Sequence, residues 1–241
     1  MDLHVHTCLS PCAELSMVPR TIAERARQTG LDAVGICDHN AAANVQAVCE
    51  AGREAGIAVI AGMEVTTAEE IHLLALFDSE EQLQEFADLV RNHLSGSNDP
   101  EFFGDQIVVG KNGNPVALEE GLLIGATDLG VSRTVKEIHR LYGLAIACHV
   151  DRQTFSILSQ LGFIPAELDL DAVELSRHAG PEEHYELHSL PVVRSSDAHF
   201  PEEIGSAFTT FFIEEATVAE IGMALAARDG RKILGAGAQD A

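Results

Sequence analysis

The chain opens with the run Asp2-Leu3-His4-Val5-His6, in which two histidines alternate with apolar residues. This pattern predicts a short β-strand, and successive side chains of a strand point to opposite faces. His4 and His6 are therefore expected on one face, where two imidazoles can bind one metal ion. Near the other end of the chain, Asp197 and His199 repeat the same spacing.

Other apolar runs also end in residues that bind metals. The run 34–37 is followed by Asp38 and His39, 58–63 by Glu64, and 144–148 by His149. One such residue alone is more typical of a turn or a cap. Turns favour Gly, Asn, Asp and Ser, so histidines at several strand ends indicate a metal site instead.

Between these runs the chain alternates short apolar strands with helical stretches, such as residues 19–28, which stop before Gly30. Repeated β-then-α units predict an α/β fold with a parallel sheet, closed as a barrel. In such barrels functional residues collect at the carboxyl ends of the strands. We expect one domain over residues 1–241, with an irregular tail over 233–241.

The turn-rich segment 95–129 interrupts this alternation. It contains Ser-Gly-Ser-Asn-Asp-Pro and Lys-Asn-Gly-Asn-Pro, and the second of these turns predicts a hairpin joining 107–109 to 116–118. We interpret the segment as an insertion or lid.

The net charge limits the binding partners, and the cysteines indicate the redox compartment. A formal net charge of −23 argues against long nucleic acids, which are bound by Lys and Arg clusters, and against anionic membranes. The start of the chain has no basic, apolar leader, and no run is long enough to span a membrane. Five cysteines without paired zinc spacing suit a reducing, cytoplasmic setting.

Taken together, these motifs resemble the PHP (polymerase and histidinol phosphatase) superfamily, in its stand-alone, metal-dependent phosphoesterase type. The residues that carry the resemblance follow the family's order along the chain and are His4-Val5-His6-Thr7, Asp38-His39-Asn40, Gly62-Met63-Glu64, His149 and Ser196-Asp197-Ala198-His199. The resemblance implies a distorted seven-stranded (β/α) barrel, similar to a TIM barrel. It also implies a trinuclear site with two or three divalent ions, which the His and carboxylate ligands allow to be zinc, manganese or iron.

Carried over by position, the resemblance implies three overlapping ligand groups. The first is His4, His6, Glu64 and Asp197, and the second is Glu64, His72 and His149. The third is His39 and His199 with one residue of the loop after His6. In that loop this chain departs from the family's usual Asp or His, and we rank Glu14 before Cys8 and Cys12 as the missing ligand.

The function that the resemblance implies is hydrolysis of phosphate esters by a metal-activated hydroxide. We expect Asp197, Glu64 and Arg152 to be catalytic. Basic residues are scarce in this chain, so those near the motifs stand out: Arg152, Arg177 and His178 are candidates for binding the substrate phosphate. The expected partner is a small phosphorylated substrate such as a nucleotide or short oligonucleotide. The alternatives are an exonuclease on nucleic acid and a non-catalytic metal-binding accessory module.

Overall fold

The structure, a computed structural model, describes residues 1–238. Its strands are β1 Asp2–Val5, β2 Ala33–Ile36, β3 Ala58–Thr66, β4 His72–Phe77, β5 Ile107–Val109, β6 Pro115–Leu118, β7 Leu144–Ala147, β8 Ala172–Leu175, β9 Val192–Arg194, β10 Ala207–Phe212 and β11 Lys232–Ala238. Its helices are α1 Pro19–Gln28, α2 Val45–Ala55, α3 Glu80–His93, α4 Pro100–Phe103, α5 Val131–Arg140, α6 Ile157–Leu161 and α7 Val218–Leu225.

Seven strands form one sheet in the order β1-β2-β3-β4-β7-β8-β9, which confirms the predicted barrel. The two edges of the sheet approach each other where Val5, at the end of β1, bridges to Ala198, beyond the end of β9. The His6 N–H donates to the Ala198 carbonyl at 3.0 Å, and the Ala198 N–H donates to the His4 carbonyl at 3.2 Å. The sheet is therefore nearly closed, and its first and last strand ends lie side by side.

The sheet is not wholly parallel, contrary to the sequence-based expectation. Strand β4 pairs antiparallel with both β3 and β7. Only a short loop joins β3 to β4, and a parallel pair needs a crossover of a dozen or more residues. The start of β4 therefore lies at the same end of the barrel as the carboxyl ends of its neighbours, which places His72 there.

Alternate residues of the central strands belong to two apolar layers. Leu73 and Ala75 pack in the larger core with residues of α1, α2, α3 and α5. Leu74 and Leu76 pack with Ile146 and with the buried face of α7. Both faces of these strands are thus covered, as expected for continuous apolar runs in an α/β sheet.

Helix ends follow local sequence signals. Helix α1 has Pro19 in its first turn, and α2 ends at Gly56, whose φ of 74° suits a left-handed cap. Helix α3 begins with a capping box between Ser79 and Gln82. None of the described helices is long and apolar enough to cross a membrane.

The segment 95–129 contains the short helix α4 and the predicted hairpin, β5 with β6. It lies against the loops that follow β1 and β2. Asn40 donates from its side-chain amide to the carbonyls of Leu123 and Gly125, both at 2.8 Å, and the Ile107 N–H donates to the Cys8 carbonyl at 3.2 Å. The segment is therefore anchored at the end of the barrel where the metal-binding motifs lie.

The irregular tail predicted over 233–241 is wrong for its described part. Residues of β11 pair antiparallel with β10 from Lys232 to Ala238. Gly235 and Gly237 hide the strand pattern, because glycine is disfavoured in strands and carries no side chain to reveal a face. Residues 239–241 lie outside the described range.

The buried carboxylate of Asp2 ties the two edges of the barrel together. It accepts hydrogen bonds from the Ser196 N–H at 2.9 Å, the Ser196 hydroxyl at 2.5 Å and the Gly205 N–H at 2.9 Å. Replacing Asp2 by alanine leaves these donors without partners. We expect Asp2→Ala to lower the free energy of unfolding by about 3 kcal/mol, measured by urea denaturation.

The matched control is Asp105→Ala, because Asp105 is exposed. Its effect is expected within about 0.5 kcal/mol of zero. Equal stability of the two variants would contradict the closing role of Asp2.

Candidate metal centre

Four side chains from three strand ends converge at the mouth of the barrel. The His4 Nε2 atom lies 3.2 Å from His6 Nε2, 3.3 Å from Asp197 Oδ1 and 3.5 Å from Glu64 Oε1. Their ligand atoms all lie within 4.8 Å of one another. None of the four residues is more than 4% exposed. They form a buried group of the kind that can hold one ion, and they are the first ligand group that the family resemblance implies.

Glu64 is at the centre of a wider ring of imidazoles. Its Oε1 atom lies 2.8 Å from His72 Nδ1 and 3.2 Å from His149 Nε2, and its Oε2 atom lies 2.9 Å from His39 Nδ1. The two carboxylate oxygens thus face different histidines. This arrangement suits a carboxylate shared by two ions, the role that the sequence resemblance implies for Glu64.

A third group joins His6, His39 and His199, with ligand atoms again within 4.8 Å. Glu14, ranked first among the loop ligands, is exposed, and its carboxylate accepts the Ser16 hydroxyl at 2.8 Å. The Cys12 thiol instead lies 3.1 Å from His199 Nε2. The structure therefore brings Cys12, and not Glu14, to the histidines.

Two buried carboxylates orient the ligand imidazoles from behind. Glu174 lies in β8 and contacts His4 Nδ1 through both oxygens, at 3.1 and 3.2 Å. Asp38 accepts from the Ser10 hydroxyl at 2.7 Å, and Ser10 in turn lies 2.9 Å from His6 Nδ1. Such partners fix the ring orientation of ligand histidines, so that Nε2 of His4 and of His6 points to the metal position.

Glu174 is a site residue that the sequence reasoning missed. It is fully buried, and it interrupts the apolar strand Ala-Val-Glu-Leu. A lone charged residue inside a buried strand is unusual without a partner, and this was the available signal.

The three basic candidates have different surroundings. Arg152 contacts Asp197 Oδ2 at 2.6 Å, so its guanidinium lies directly at the first ligand group. Arg177 pairs with Glu203 at 2.6 Å, and Glu203 also accepts the His199 N–H at 2.9 Å. His178 is exposed beside Arg177. Of these residues, only Arg152 touches one of the proposed metal ligands with its charged group.

The charges of the site suit cation binding. Burial opposes ionisation of Glu64, but the surrounding His72, His4 and His39 hold the pKa of its carboxyl well below its usual range. Burial also opposes ionisation of Asp197, and His4 and His6 lower its pKa as well. Burial raises the pKa of the Cys12 thiol, but His199 and His39 outweigh it and lower the value to about 7. Ionised carboxylates and a thiol that ionises easily are the forms that bind metals.

Eight buried side-chain polar atoms of the described residues make no hydrogen bond of acceptable geometry, and four of them lie at this site. They are His39 Nδ1, Glu64 Oε2, His72 Nδ1 and His149 Nδ1, despite the short distances from Glu64 to His39 and His72. Buried polar groups are normally hydrogen-bonded, so four without such a bond at one place indicate a site for a bound ion. Imidazole nitrogens and carboxylate oxygens suit zinc, manganese or iron. The residues present therefore fit a multinuclear metal site.

Strained backbone accompanies the site. Asp197 and His149 have positive φ angles of 51° and 28°. Non-glycine residues seldom adopt this conformation, and it is concentrated at functional sites. His149 lies two residues beyond the end of β7, and Asp197 lies three residues beyond the end of β9.

Comparison with known families agrees with this geometry. A family model described as the PHP domain matches residues 2–130, which is more than half of the chain. The chain belongs to the PHP domain family. A second model, described as PHP-associated, matches residues 182–229 of this PHP protein. Its family and its buried His, Glu and Asp groups show that the chain is a PHP domain protein similar to metal-dependent phosphoesterases. Among curated proteins, no sequence matches the chain.

Solved structures share the fold at low sequence identity. The lesion-specific endonuclease Q (EndoQ) from Pyrococcus furiosus matches with a TM-score of 0.75 and 22% identity, covering 99% of this chain and 58% of that one. Endonuclease Q in complex with a 27-mer duplex bearing an abasic lesion at the active site matches with a TM-score of 0.73 and 22% identity. The match covers 99% of this chain and 59% of that one. This PHP protein thus spans less than two thirds of the length of those chains.

A smaller protein is also similar. It is a candidate metal-dependent phosphoesterase from Bifidobacterium adolescentis, with a TM-score of 0.56 and 22% identity. The match covers 82% of this chain and 87% of that one. At these identities the likeness establishes the shared fold.

Proposed function

We propose that the protein is a metal-dependent hydrolase of phosphate esters, acting on small phosphomonoesters, nucleotides or short oligonucleotides. The observation that carries the proposal is the ring of buried histidines around the shared carboxylate of Glu64. Membership of the PHP family supports it.

The residues of the metal centre and Arg152 have different parts in such a reaction. When bound, divalent ions supply a Lewis acid for the phosphate and lower the pKa of a nearby water. His4, His6 and Asp197 would hold one ion together with Glu64, whose second oxygen is available to a neighbouring ion. Arg152 can donate to a non-bridging phosphate oxygen, as arginine does in a bidentate manner. No serine or cysteine nucleophile is needed.

The surroundings favour a small substrate. The net charge of −23 repels a long polyanion such as a nucleic acid and slows its association with the protein. Phe155 stacks on the ligand His72, with ring centroids 4.6 Å apart and planes 17° apart, and remains 38% exposed. An aromatic face that is partly open beside a metal ligand suits a nucleobase, which stacks on aromatic side chains.

A second candidate is an endonuclease acting on damaged DNA. The likeness to endonuclease Q covers 99% of this chain, and one of those structures holds a duplex with an abasic lesion. The strongly acidic composition weighs against this alternative, since duplex binding depends on phosphate contacts by Lys and Arg.

The test is a substrate panel with metal-reconstituted protein: p-nitrophenyl phosphate, mononucleotides, short oligonucleotides and a duplex with one abasic site. We expect turnover of at least one of the first three and its loss in Asp197→Ala. Cleavage restricted to the abasic duplex would replace our proposal by the endonuclease alternative. Fully metallated protein that hydrolyses nothing in the panel would overturn both.

Arg152 provides a narrower prediction. We expect Arg152→Ala to lower kcat/KM for p-nitrophenyl phosphate by about ten- to a hundredfold, the size of a lost charged hydrogen bond. Metal content measured on the same samples should stay unchanged. Arg20→Ala is the control, because Arg20 is exposed and pairs with Glu24 in the same helix. Similar kinetics for both variants would refute a phosphate-binding role for Arg152.

A further inference from the structure

The loop after β1 brings an exposed thiol to the edge of the metal centre. Cys12 Sγ lies 3.1 Å from His199 Nε2. The loop is fixed to the strand end that carries His199, because the Glu14 N–H donates to the His199 carbonyl at 2.9 Å. The backbone thus holds the thiol beside the imidazole of His199.

The imidazoles at this position show an independent sign of a missing ion. His6, His39 and His199 offer ligand atoms within 4.8 Å of one another. His39 is only 6% exposed, and its Nδ1 atom makes no hydrogen bond of acceptable geometry, although it lies 2.9 Å from Glu64 Oε2. His6 already belongs to the group of His4, Glu64 and Asp197, so an ion held by His39 and His199 needs another protein ligand.

We propose that Cys12 is this ligand, so that one metal of the cluster is held by His39, His199 and the thiolate of Cys12. The inference rests on the metal centre of the proposed function, and it is independent of which ester is hydrolysed. Thiolate with imidazole favours zinc at this position, whereas manganese prefers oxygen ligands.

The other residues of the loop do not reach the position. The Glu14 carboxylate is exposed and accepts from Ser16. The Cys8 thiol is buried and faces the Ile107 carbonyl at 3.8 Å, and burial raises its pKa to about 11. Cys12 alone among these three contacts His199 through its side chain.

Cobalt titration of metal-free protein tests the assignment without any substrate. Cobalt bound to a thiolate shows sulfur-to-metal charge-transfer absorption in the near ultraviolet, which His and carboxylate ligands do not produce. We expect this band in the wild-type protein and in the Glu14→Gln and Cys49→Ser variants. We expect Cys12→Ala to lose the band together with one bound cobalt per chain.

Two additions make the result decisive. Cys12→Asp should recover the bound cobalt without the band, because a carboxylate replaces the thiolate. Among the described cysteines Cys12 is the exposed one, so zinc should slow its alkylation in native protein.

A wild-type protein that binds cobalt without the band, or a band that persists in Cys12→Ala, would overturn the proposal. Retention of the band and of all bound metal in a protein that hydrolyses no phosphate ester would instead refute the proposed function and leave the ligand assignment standing. A wild-type protein that binds no cobalt at all would refute both.

Discussion

Glu64→Gln is expected to reduce phosphoester hydrolysis by at least about 10³-fold. Loss of the charge stabilisation that the metals supply raises the free energy of the transition state by several kcal/mol. The carboxylate of Glu64 faces His72 and His149 with one oxygen and His39 with the other. Glutamine keeps the shape, but it replaces one oxygen by an NH₂ group that cannot bind a metal. One neighbouring metal position therefore loses its ligand atom, and the other keeps only a neutral carbonyl oxygen in place of a charged carboxylate.

The measurement is kcat with p-nitrophenyl phosphate at saturating metal, together with the number of metals bound per chain. Both should fall. The control is Glu81→Gln, an exposed glutamate in the first turn of α3, which should change neither quantity. A Glu64→Gln protein that keeps its full complement of metal and its kcat would show that the carboxylate is not shared between ions.

Glu174→Gln is the second large effect, and it should appear in metal affinity. Glu174 contacts His4 Nδ1 with both oxygens and lies fully buried. Glutamine retains an acceptor oxygen, so the ring can stay in place, but the charge that makes His4 a stronger ligand is lost. We expect metal binding about 10- to 100-fold weaker, as for other carboxylates behind ligand histidines.

Chelator competition measures this change directly. Because Glu174 acts by positioning and polarising His4, activity should return toward the wild-type kcat at high metal concentration. The matched control is Glu167→Gln, an exposed glutamate in the loop before β8. Unchanged metal affinity in Glu174→Gln would remove Glu174 from the metal centre, and a permanently low kcat at saturating metal would assign it a different role.

The barrel could be predicted largely because its strands carry polar residues at one end. The expected helix 19–28 matches α1, and the expected hairpin matches β5 with β6. The direction of β4 could not be predicted from its apolar residues, because hydrophobic pattern is the same for both directions. The length of the loop before it decided the antiparallel pairing.

The candidate site could likewise be predicted only in part. Period-two spacing is enough to place His4 and His6 on one face, and the structure brings them together with Glu64 and Asp197. The choice among Cys8, Cys12 and Glu14 depends on how an irregular loop directs its side chains, which spacing does not encode. Glu174 was missed because a single acidic residue inside a strand has no motif around it.

Metal-dependent hydrolysis is tested by measuring bound metal and phosphoester hydrolysis on the same samples during stepwise metal addition to chelator-treated protein. We predict no hydrolysis without metal, and activity that rises as the protein binds more than one ion per chain. Hydrolysis that persists after complete removal of metal, or saturation with several ions without hydrolysis of any ester in the panel, would show that the protein is not a metal-dependent phosphoesterase of this kind.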